Sequence, residues 1–358
     1  MTLRAGVGRV CITPFAGVEL AGLGYYFHRV WRQVHDDLYA TAVVLDDGVK
    51  RLAIVSVDLM VIDGLIVEPF TEPTRLAVEQ CTGVPAANVL LACTHTHNAP
   101  AINGLRGCGE TDALYARWVS RQVATAARLA ADRLEPVTVH TAATDLSGHT
   151  YNRTRPAGPV DTRLTTLRLD RADGSPLALL VNFQGHPVVH MKRRMYAVSR
   201  DVPGDVCDRI ERELPGCRAL YLQGAAGDLM FNDEYSQPVH AHRPGDLVAG
   251  TALDAQRNAL SMPDASLDVA TPVAKLPTRR WTHDEIFKLR EEAEHRLAHD
   301  ETHDWMHGIG RGMTCNPPDM VDRHGGDEVK AVRAMARFMI EWSDQVLIDW
   351  QTRPEHIH

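Results

Sequence analysis

The chain has 358 residues, 44% of them hydrophobic, and a formal net charge of −8. This size allows one large or two medium domains around a substantial core. The negative charge and the absence of any block of Lys and Arg exclude nucleic acid and anionic membrane as main partners. Small-molecule substrates fit this composition, whereas the oligomeric state is not encoded in it.

Localisation is predicted from apolar segments and cysteines. The N-terminus has no apolar stretch of signal-peptide length, and no later segment has a run of apolar residues long enough to span a bilayer. Seven scattered cysteines, an odd number without a Cys-x-x-Cys pair, are typical of a reducing compartment. The expected location is the cytoplasm.

Strands and helices alternate over the first two thirds of the chain, and no internal repeat is apparent. The hydrophobic patterns and turn residues predict strands at 41–45, 51–57, 89–93, 137–142, 164–169, 177–183 and 219–222, and helices at 73–81, 113–133 and 202–214. This order predicts an α/β fold with a mixed sheet flanked by helices.

The composition changes after about residue 270. Thr282 and Glu285 form a capping box that opens a helix to about residue 298, and a second amphipathic helix follows at 328–350. The prediction is an α/β catalytic domain over 1–270 and a helical C-terminal appendage over 271–358. The appendage contains many histidines, which we expect to be exposed rather than metal ligands: His283, His295, His299, His303, His307 and His324.

Two histidines follow the apolar run 89–93, which is predicted to be a strand buried on both faces. Alternate residues of an extended chain project to the same side, so His95 and His97 share a side if the extended conformation continues. Neutral imidazole binds Zn²⁺, and it also serves as an acid, a base or an oxyanion donor. The alternative is a polar strand exit whose rings bind backbone groups.

Further polar residues follow other predicted strands. His186 comes after 177–183, Asp228 after 219–222 and Asp58 after 51–57. Each aspartate alone is typical of a cap or a turn. Taken with the histidines, they resemble the ligand set of a catalytic zinc site with an open position for water. Histidines with several aspartates are also typical of a two-metal phosphoesterase.

The order of these motifs resembles the N-terminal catalytic domain of neutral/alkaline (non-lysosomal) ceramidases and their shorter bacterial relatives. The resemblance covers roughly residues 5–233. The motifs that carry it are Ala5–Pro14, Val55–Asp58, Thr94–Pro100, Tyr151–Arg153, Gly185–Pro187, Ser199–Gly204 and Gln223–Asp228.

The resemblance implies hydrolysis of an amide by zinc-activated water, with one zinc ion. It implies that His95 and His186 bind the zinc and that His97 lies beside the reacting carbonyl. It also implies that Arg153 faces the substrate. To these expectations we add Asn98 as a substrate contact, Asp228 as a further metal ligand, and Asp58 as a catalytic partner that orients an imidazole.

The chain also departs from the ceramidase pattern. The remaining ceramidase ligands, a glutamate and a tyrosine, lie in a segment that has no counterpart in the last third, and Gly224 and Ala225 replace a Ser-Asn pair. We therefore expect Asp228, Asp58, Glu301 or His324 to complete the coordination. The alternative is a non-catalytic binding or scaffold protein without a complete metal site. A small soluble amide or ester is the expected substrate in place of ceramide.

Overall fold

The computed structural model describes residues 2–22, 28–62, 70–102, 104, 108–191, 194–272, 276–277, 281–299, 321, 324–348 and 356–357. The chain divides into two compact units. Unit 1 comprises Met1–Gly22, His28–Leu105 and Gly109–Val269, and unit 2 comprises Leu23–Phe27, Arg106–Cys108 and Ala270–His358.

Unit 1 is an α/β unit. Its strands are β1 Arg4–Cys11, β2 Gln33–Val34, β3 Tyr39–Asp46, β4 Arg51–Val57, β5 Val89–Cys93, β6 Glu135–Asp145, β7 Thr150–Asn152, β8 Arg163–Arg171, β9 Pro176–Phe183, β10 Ala197–Val198, β11 Arg218–Gln223, β12 Leu229–Phe231 and β13 Leu260–Met262. Its helices are α1 Thr71–Thr82, α2 Ala113–Ala131, α3 Asp201–Glu213 and α4 Arg243–Gln256.

Nine strands form one mixed sheet with the order β11-β9-β8-β6-β1-β3-β4-β5, and β13 pairs with β6. The two outermost pairs, β4 with β5 and β9 with β11, are parallel, whereas the other pairs are antiparallel. Each parallel pair is connected through a helix, as parallel strands require. The predicted mixed α/β fold is confirmed.

The element order of unit 1 repeats. The first half runs β1, β3, β4, α1, β5, α2, and the second half runs β6, β8, β9, α3, β11, α4. The strand order of the sheet is correspondingly palindromic: corresponding strands of the two halves lie equally far from the central β6–β1 pair, on opposite sides of it. Sequence analysis found no repeat because the two halves share connectivity rather than recognisable residue patterns.

The sheet is curled so that its two ends approach each other. Ser56 on β4 donates its hydroxyl to the main-chain carbonyl of Tyr221 on β11 at 2.7 Å, although these strands lie near opposite ends of the strand order. One face of each half packs against that half's helices, and the other face contributes to a shared inner core. That inner core includes Val7, Val43, Val137, Leu169, Leu180 and Leu220.

Strand β5 differs from its prediction. It is the last strand at one end of the sheet, and Leu90 is 51% exposed, so the strand is not buried on both faces. Five consecutive apolar residues have the same pattern whether or not a layer covers them. The prediction failed because the burial of a strand depends on its position in the sheet, and the local sequence pattern does not encode that position.

Helix α4 is absent from the sequence prediction. It contains Pro244, Gly245 and Gly250, and glycine and proline are poor helix formers. Its packing explains Gly245, because a Cβ there would lie 2.3 Å from the Cβ of Asp205 on α3. The close approach of α4 to α3 therefore requires glycine at position 245, and this glycine weakens the helix signal in the sequence.

Unit 2 contains two long helices, α5 His283–His299 and α6 Glu328–Ile348, and a short pair of strands, β14 Leu276–Pro277 and β15 His356–Ile357. The predicted capping box is present, since the N–H of Glu285 donates to Thr282 Oγ1 and the N–H of Thr282 donates to Glu285 Oε2. The helices are joined by an Arg290–Asp344 ion pair. Across the described ranges, no helix is long and apolar enough to cross a membrane.

Candidate metal centre

His95 lies in a turn directly after β5. Its φ is +66°, in the left-handed region, so the chain is not extended here and the predicted reason for a shared side is wrong. The turn is held by the main-chain N–H of His95, which donates to Leu59 O at 3.0 Å. The ring Nδ1 is 2.7 Å from the carbonyl oxygen of Met60. Non-glycine residues in this backbone region are uncommon and cluster at functional sites.

His97 is held by a glycine. The ring is 2% exposed, and its Nδ1 is 2.8 Å from the carbonyl oxygen of Gly22. Gly22 has φ +105°, and a Cβ at this position would lie 2.5 Å from that same Nδ1. Only glycine both adopts this backbone conformation without strain and leaves room for the ring.

His186 follows β9 in the second half of unit 1. Its main-chain N–H donates to Leu229 O at 3.2 Å, and its ring Nδ1 is 3.0 Å from the carbonyl oxygen of Ala226. Ala226 belongs to the loop between β11 and β12. Each of the three imidazoles is thus oriented by a main-chain carbonyl from a neighbouring segment.

The three Nε2 atoms converge. The distance from His97 Nε2 to His186 Nε2 is 2.9 Å, and to His95 Nε2 it is 3.4 Å. A carbonyl oxygen only accepts, so each Nδ1 carries the proton and each Nε2 of a neutral ring presents a lone pair. Lone pairs at these distances repel one another unless a cation lies between them. The donor set therefore fits a metal ion bound by three imidazoles.

The protonation equilibria support this fit. Burial, together with the neighbouring imidazoles, lowers the pKa of His97 well below its usual value, and burial lowers the pKa of His186 to about 3. Burial also lowers the pKa of His95. The rings are therefore neutral near pH 7, the form that binds a metal.

Arg153 lies beside the three imidazoles. Its positive charge contributes to the lowered pKa of both His95 and His186. The guanidinium is aimed by the carbonyl of Gly227, which accepts from Nε at 3.0 Å and from Nη2 at 2.7 Å. Nη1 lies 3.8 Å from the sulfur of Met230. The structure brings Arg153 together with the three predicted histidines.

Asp58 is placed elsewhere. Its carboxylate accepts from the N–H of Tyr39 at 2.8 Å and lines a small cavity with Arg9 and Arg200. Burial raises its pKa to about 6, against the opposing charge of Arg200. The predicted role of orienting an imidazole is wrong, because main-chain carbonyls occupy all three Nδ1 positions.

Asp228 and Asn98 lie outside the three-histidine group. The carboxylate of Asp228 accepts from Asn152 Nδ2 at 2.8 Å, and its main-chain carbonyl accepts from the N–H of Arg153. The side-chain amide of Asn98 is fully buried and donates to the carbonyls of Arg194 and Ala197. These contacts give Asp228 and Asn98 structural positions beside the segments that carry the site.

The sequence analysis named two further residues that could complete the coordination. Glu301 lies outside the described residues, and His324 belongs to unit 2. Of the appendage histidines, His295 and His299 are exposed and stack on one another, whereas His303 and His307 lie outside the described residues.

Sequence reasoning missed the residues that orient the rings. Met60, Gly22 and Ala226 act through their carbonyl oxygens, which every residue type carries, and of the three only Gly22 must also be a particular residue type. It also missed the role of Asp201, whose buried carboxylate accepts the N–H groups of the segment after His186. The Ser-Arg-Asp motif at 199–201 was the available signal.

Comparison with solved structures shows which known proteins share the fold of this chain. The chain is similar to a ceramidase complexed with C2 (TM-score 0.63) and to neutral ceramidase from Pseudomonas aeruginosa (TM-score 0.62), at 21% identity in both cases. The match covers 72% of this chain and 44% and 45% of those chains, so the chain spans less than half of their length. The chain has a ceramidase-like fold. The predicted resemblance is confirmed at this level.

Sequence comparisons are negative. A scan against protein-family models finds no match, and a search of curated proteins finds no match either. At 21% identity the structural likeness establishes the fold alone, and the chemistry has to be argued from the three histidines and the residues around them.

Proposed function

We propose that this protein is a zinc-dependent hydrolase that cleaves an amide bond in a small soluble metabolite. One observation carries the proposal: three neutral imidazoles, each fixed through Nδ1 by a main-chain carbonyl, direct their Nε2 lone pairs at one point. The ceramidase-like fold is consistent with this proposal, because the ceramidase family, which the sequence resembles, hydrolyses the amide bond of an N-acyl lipid.

The proposal changes the predicted role of His97. The resemblance implies that His97 assists the reacting carbonyl, whereas its position beside His186 supports a role as the third ligand. Three neutral ligands leave the full positive charge of a bound metal uncompensated. Zinc in such a site supplies a Lewis acid and lowers the pKa of a bound water to about 7.

Arg153 is proposed to bind the substrate carbonyl or a nearby anionic group. In hydrolysis, water oxygen adds to the carbonyl carbon, the C–N bond breaks, and the amine leaves with a proton. Negative charge develops on the carbonyl oxygen before the bond breaks. A guanidinium already aimed by Gly227 stabilises that charge without reorganising.

Metal content tests the ligand set. Protein purified without chelator is assayed for zinc, and His95→Ala, His97→Ala and His186→Ala are each expected to lose one equivalent. His140→Ala on β6 is the matched control and should keep it. If His97→Ala retains zinc and loses turnover, His97 is a catalytic partner rather than a ligand. Wild-type protein that binds no zinc would support the non-catalytic scaffold.

Substrate class is tested with a panel of small N-acyl compounds, carboxyl esters and phosphoesters. We expect cleavage of N-acyl compounds that depends on zinc. Turnover of phosphoesters alone would favour the two-metal phosphoesterase instead. A dinuclear site holds its metals about 3.5–4 Å apart, and the three-histidine group, within the described residues, contains no carboxylate to bridge them.

A further inference from the structure

We propose that unit 1 binds a second transition-metal ion at His190, Asp205 and His242. None of these residues has a part in the proposed hydrolysis. They come from three different segments: the loop after His186, helix α3, and the residue directly before helix α4. The proposal is independent of the catalytic assignment, since it concerns a separate ligand set.

The candidate ligand atoms are close together. Nε2 of His190 is 2.9 Å from Oδ2 of Asp205, and Nδ1 of His242 is 3.1 Å from each oxygen of that carboxylate. One atom from each residue lies within 4.8 Å of the other two. Ligands in a tetrahedral zinc site are separated by comparable distances, because each lies about 2.0–2.2 Å from the metal.

His190 is the second observation that points to a ligand. The residue is 3% exposed, and within the described ranges neither of its ring nitrogens makes a hydrogen bond of acceptable geometry. Nε2 is near Asp205 but is not well directed at it. Buried polar atoms normally have a partner. A metal ion between the two side chains satisfies the ring nitrogen and the carboxylate together.

Charge around the cluster is mixed. The carboxylates of Asp205 and Asp201 act on His190 against the positive charge of Arg194. Burial alone would lower the pKa of His190, but these carboxylates raise it to about 9. Without metal, protonated His190 and Asp205 form an ion pair at 2.9 Å, although the contact is not directed as a hydrogen bond. A metal ion that binds takes the place of that proton, and the ion pair alone is the competing explanation of the cluster.

The ligand chemistry selects the ion. Two imidazoles and one carboxylate suit Zn²⁺, Co²⁺ or Ni²⁺, whereas Mg²⁺ and Ca²⁺ prefer oxygen ligands only. The side chain of Asp205 is 21% exposed and that of His242 is 56% exposed, so one side of the cluster is open to an entering ion and to water ligands.

An ion at this position would cross-link the fold. His190 lies four residues after His186, in the segment whose N–H groups are bound by Asp201. The ion would tie this segment to both helices of the second half. The expected effect is a higher thermal stability in the presence of metal, without a direct role in bond cleavage.

The test uses the full chain in a His95→Ala, His97→Ala background, which removes the first site. Chelator-treated protein is dialysed against Zn²⁺ and then against Co²⁺, and bound metal and Tm are measured. We expect one remaining equivalent and a Tm raised by metal. Adding His242→Ala should weaken binding by more than about 100-fold, because loss of a residue that only orients a ligand typically costs about 10–100-fold, and it should abolish the Tm shift.

Two further variants sharpen this test. Asp205→Asn keeps the shape of the cluster and removes its charge, so it should lose the metal as His242→Ala does. Removal of the exposed helical pair by His295→Ala and His299→Ala is the matched control and should leave the equivalent in place. Retention of metal and Tm shift in both His242→Ala and Asp205→Asn, or no binding in the background protein, would overturn the proposal.

Discussion

His97 Nε2 and His186 Nε2 lie 2.9 Å apart, although the two residues come from different halves of unit 1. His97 follows β5, the outer strand of the first half, and His186 follows β9 in the second. Their orienting carbonyls also come from separate segments, Gly22 and Ala226. The centre is therefore assembled where the two ends of the curled sheet meet.

Replacement of Gly22 tests how the rings are held. In Gly22→Ala, the new Cβ would lie 2.5 Å from His97 Nδ1, so the ring must move. Partners that orient metal-bound histidines typically contribute 10–100-fold to metal affinity, and we expect a loss of about that size by zinc titration. Gly17→Ala is the control, because Gly17 has φ +94° but no atom within 4 Å of a new Cβ. Equal affinities for the two variants would contradict this reading.

Arg153→Met tests the anchor for the substrate. Loss of one donor to a developing oxyanion typically lowers kcat by about 100-fold or more, and we expect a decrease of about that size in kcat/KM. Zinc content should not change, since Arg153 is not in the ligand group. Arg155→Met, at an exposed position two residues further on, is the control. A fall in zinc content would show that Arg153 supports the centre rather than the substrate.

Asp58→Asn should change the pH dependence of stability. Burial raises the pKa of Asp58 to about 6 from 3.8, although Arg200, Arg9 and the N–H of Tyr39 favour the ionised form and Asp36 opposes it. The folded state thus binds this proton more tightly, and the stability it contributes is present below about pH 4 and lost as pH rises through 6.

Asparagine carries no such proton. Between pH 4 and pH 7.5, the free energy of unfolding of Asp58→Asn should therefore improve relative to wild type by up to about 3 kcal/mol, the equivalent of about two pKa units. Urea unfolding of both proteins at the two pH values measures this difference. An unchanged or opposite difference would mean that Asp58 is ionised in the fold at low pH.

Asp201→Asn should destabilise unit 1 by about 3 kcal/mol. The buried carboxylate accepts N–H groups from Val189, His190, Met191 and Val202. An amide replaces one acceptor oxygen by a donor that faces these N–H groups, and hydrogen bonds to charged groups contribute about 1.5–3 kcal/mol each. Asparagine tolerates the φ of +54° at this position. Urea unfolding is the measurement, with the exposed Asp254→Asn as control.

Much of the fold could be predicted because it has local signals. The strand 51–57 matches β4 in both bounds, and the helices at 113–133 and 202–214 differ from α2 and α3 by one or two residues. Hydrophobic periods and caps are properties of a few neighbouring residues. The position of β5 at the end of the sheet, the duplicated topology and helix α4 depend on contacts between distant segments, and they were missed.

In the candidate site, too, local signals were found in the sequence and contacts between distant segments were not. His95, His97 and His186 stand out as imidazoles after predicted strands, whereas Arg153 was indicated by the family resemblance alone; the four residues do meet. The main-chain carbonyls that orient these side chains are present in every residue type, so the sequence does not mark them. The aspartates were misplaced because a carboxylate that binds N–H groups, such as Asp201, looks in sequence like one that binds a metal.

The palindromic order of the sheet has a consequence for assembly. The first half holds two of the three imidazoles and the second half holds one, so neither half alone offers the complete ligand set. An ion bound there stabilises only the docked arrangement of the halves, and its free energy of binding adds to the cooperativity of unfolding. A metal ion bound at the proposed site would therefore hold the two halves of unit 1 together.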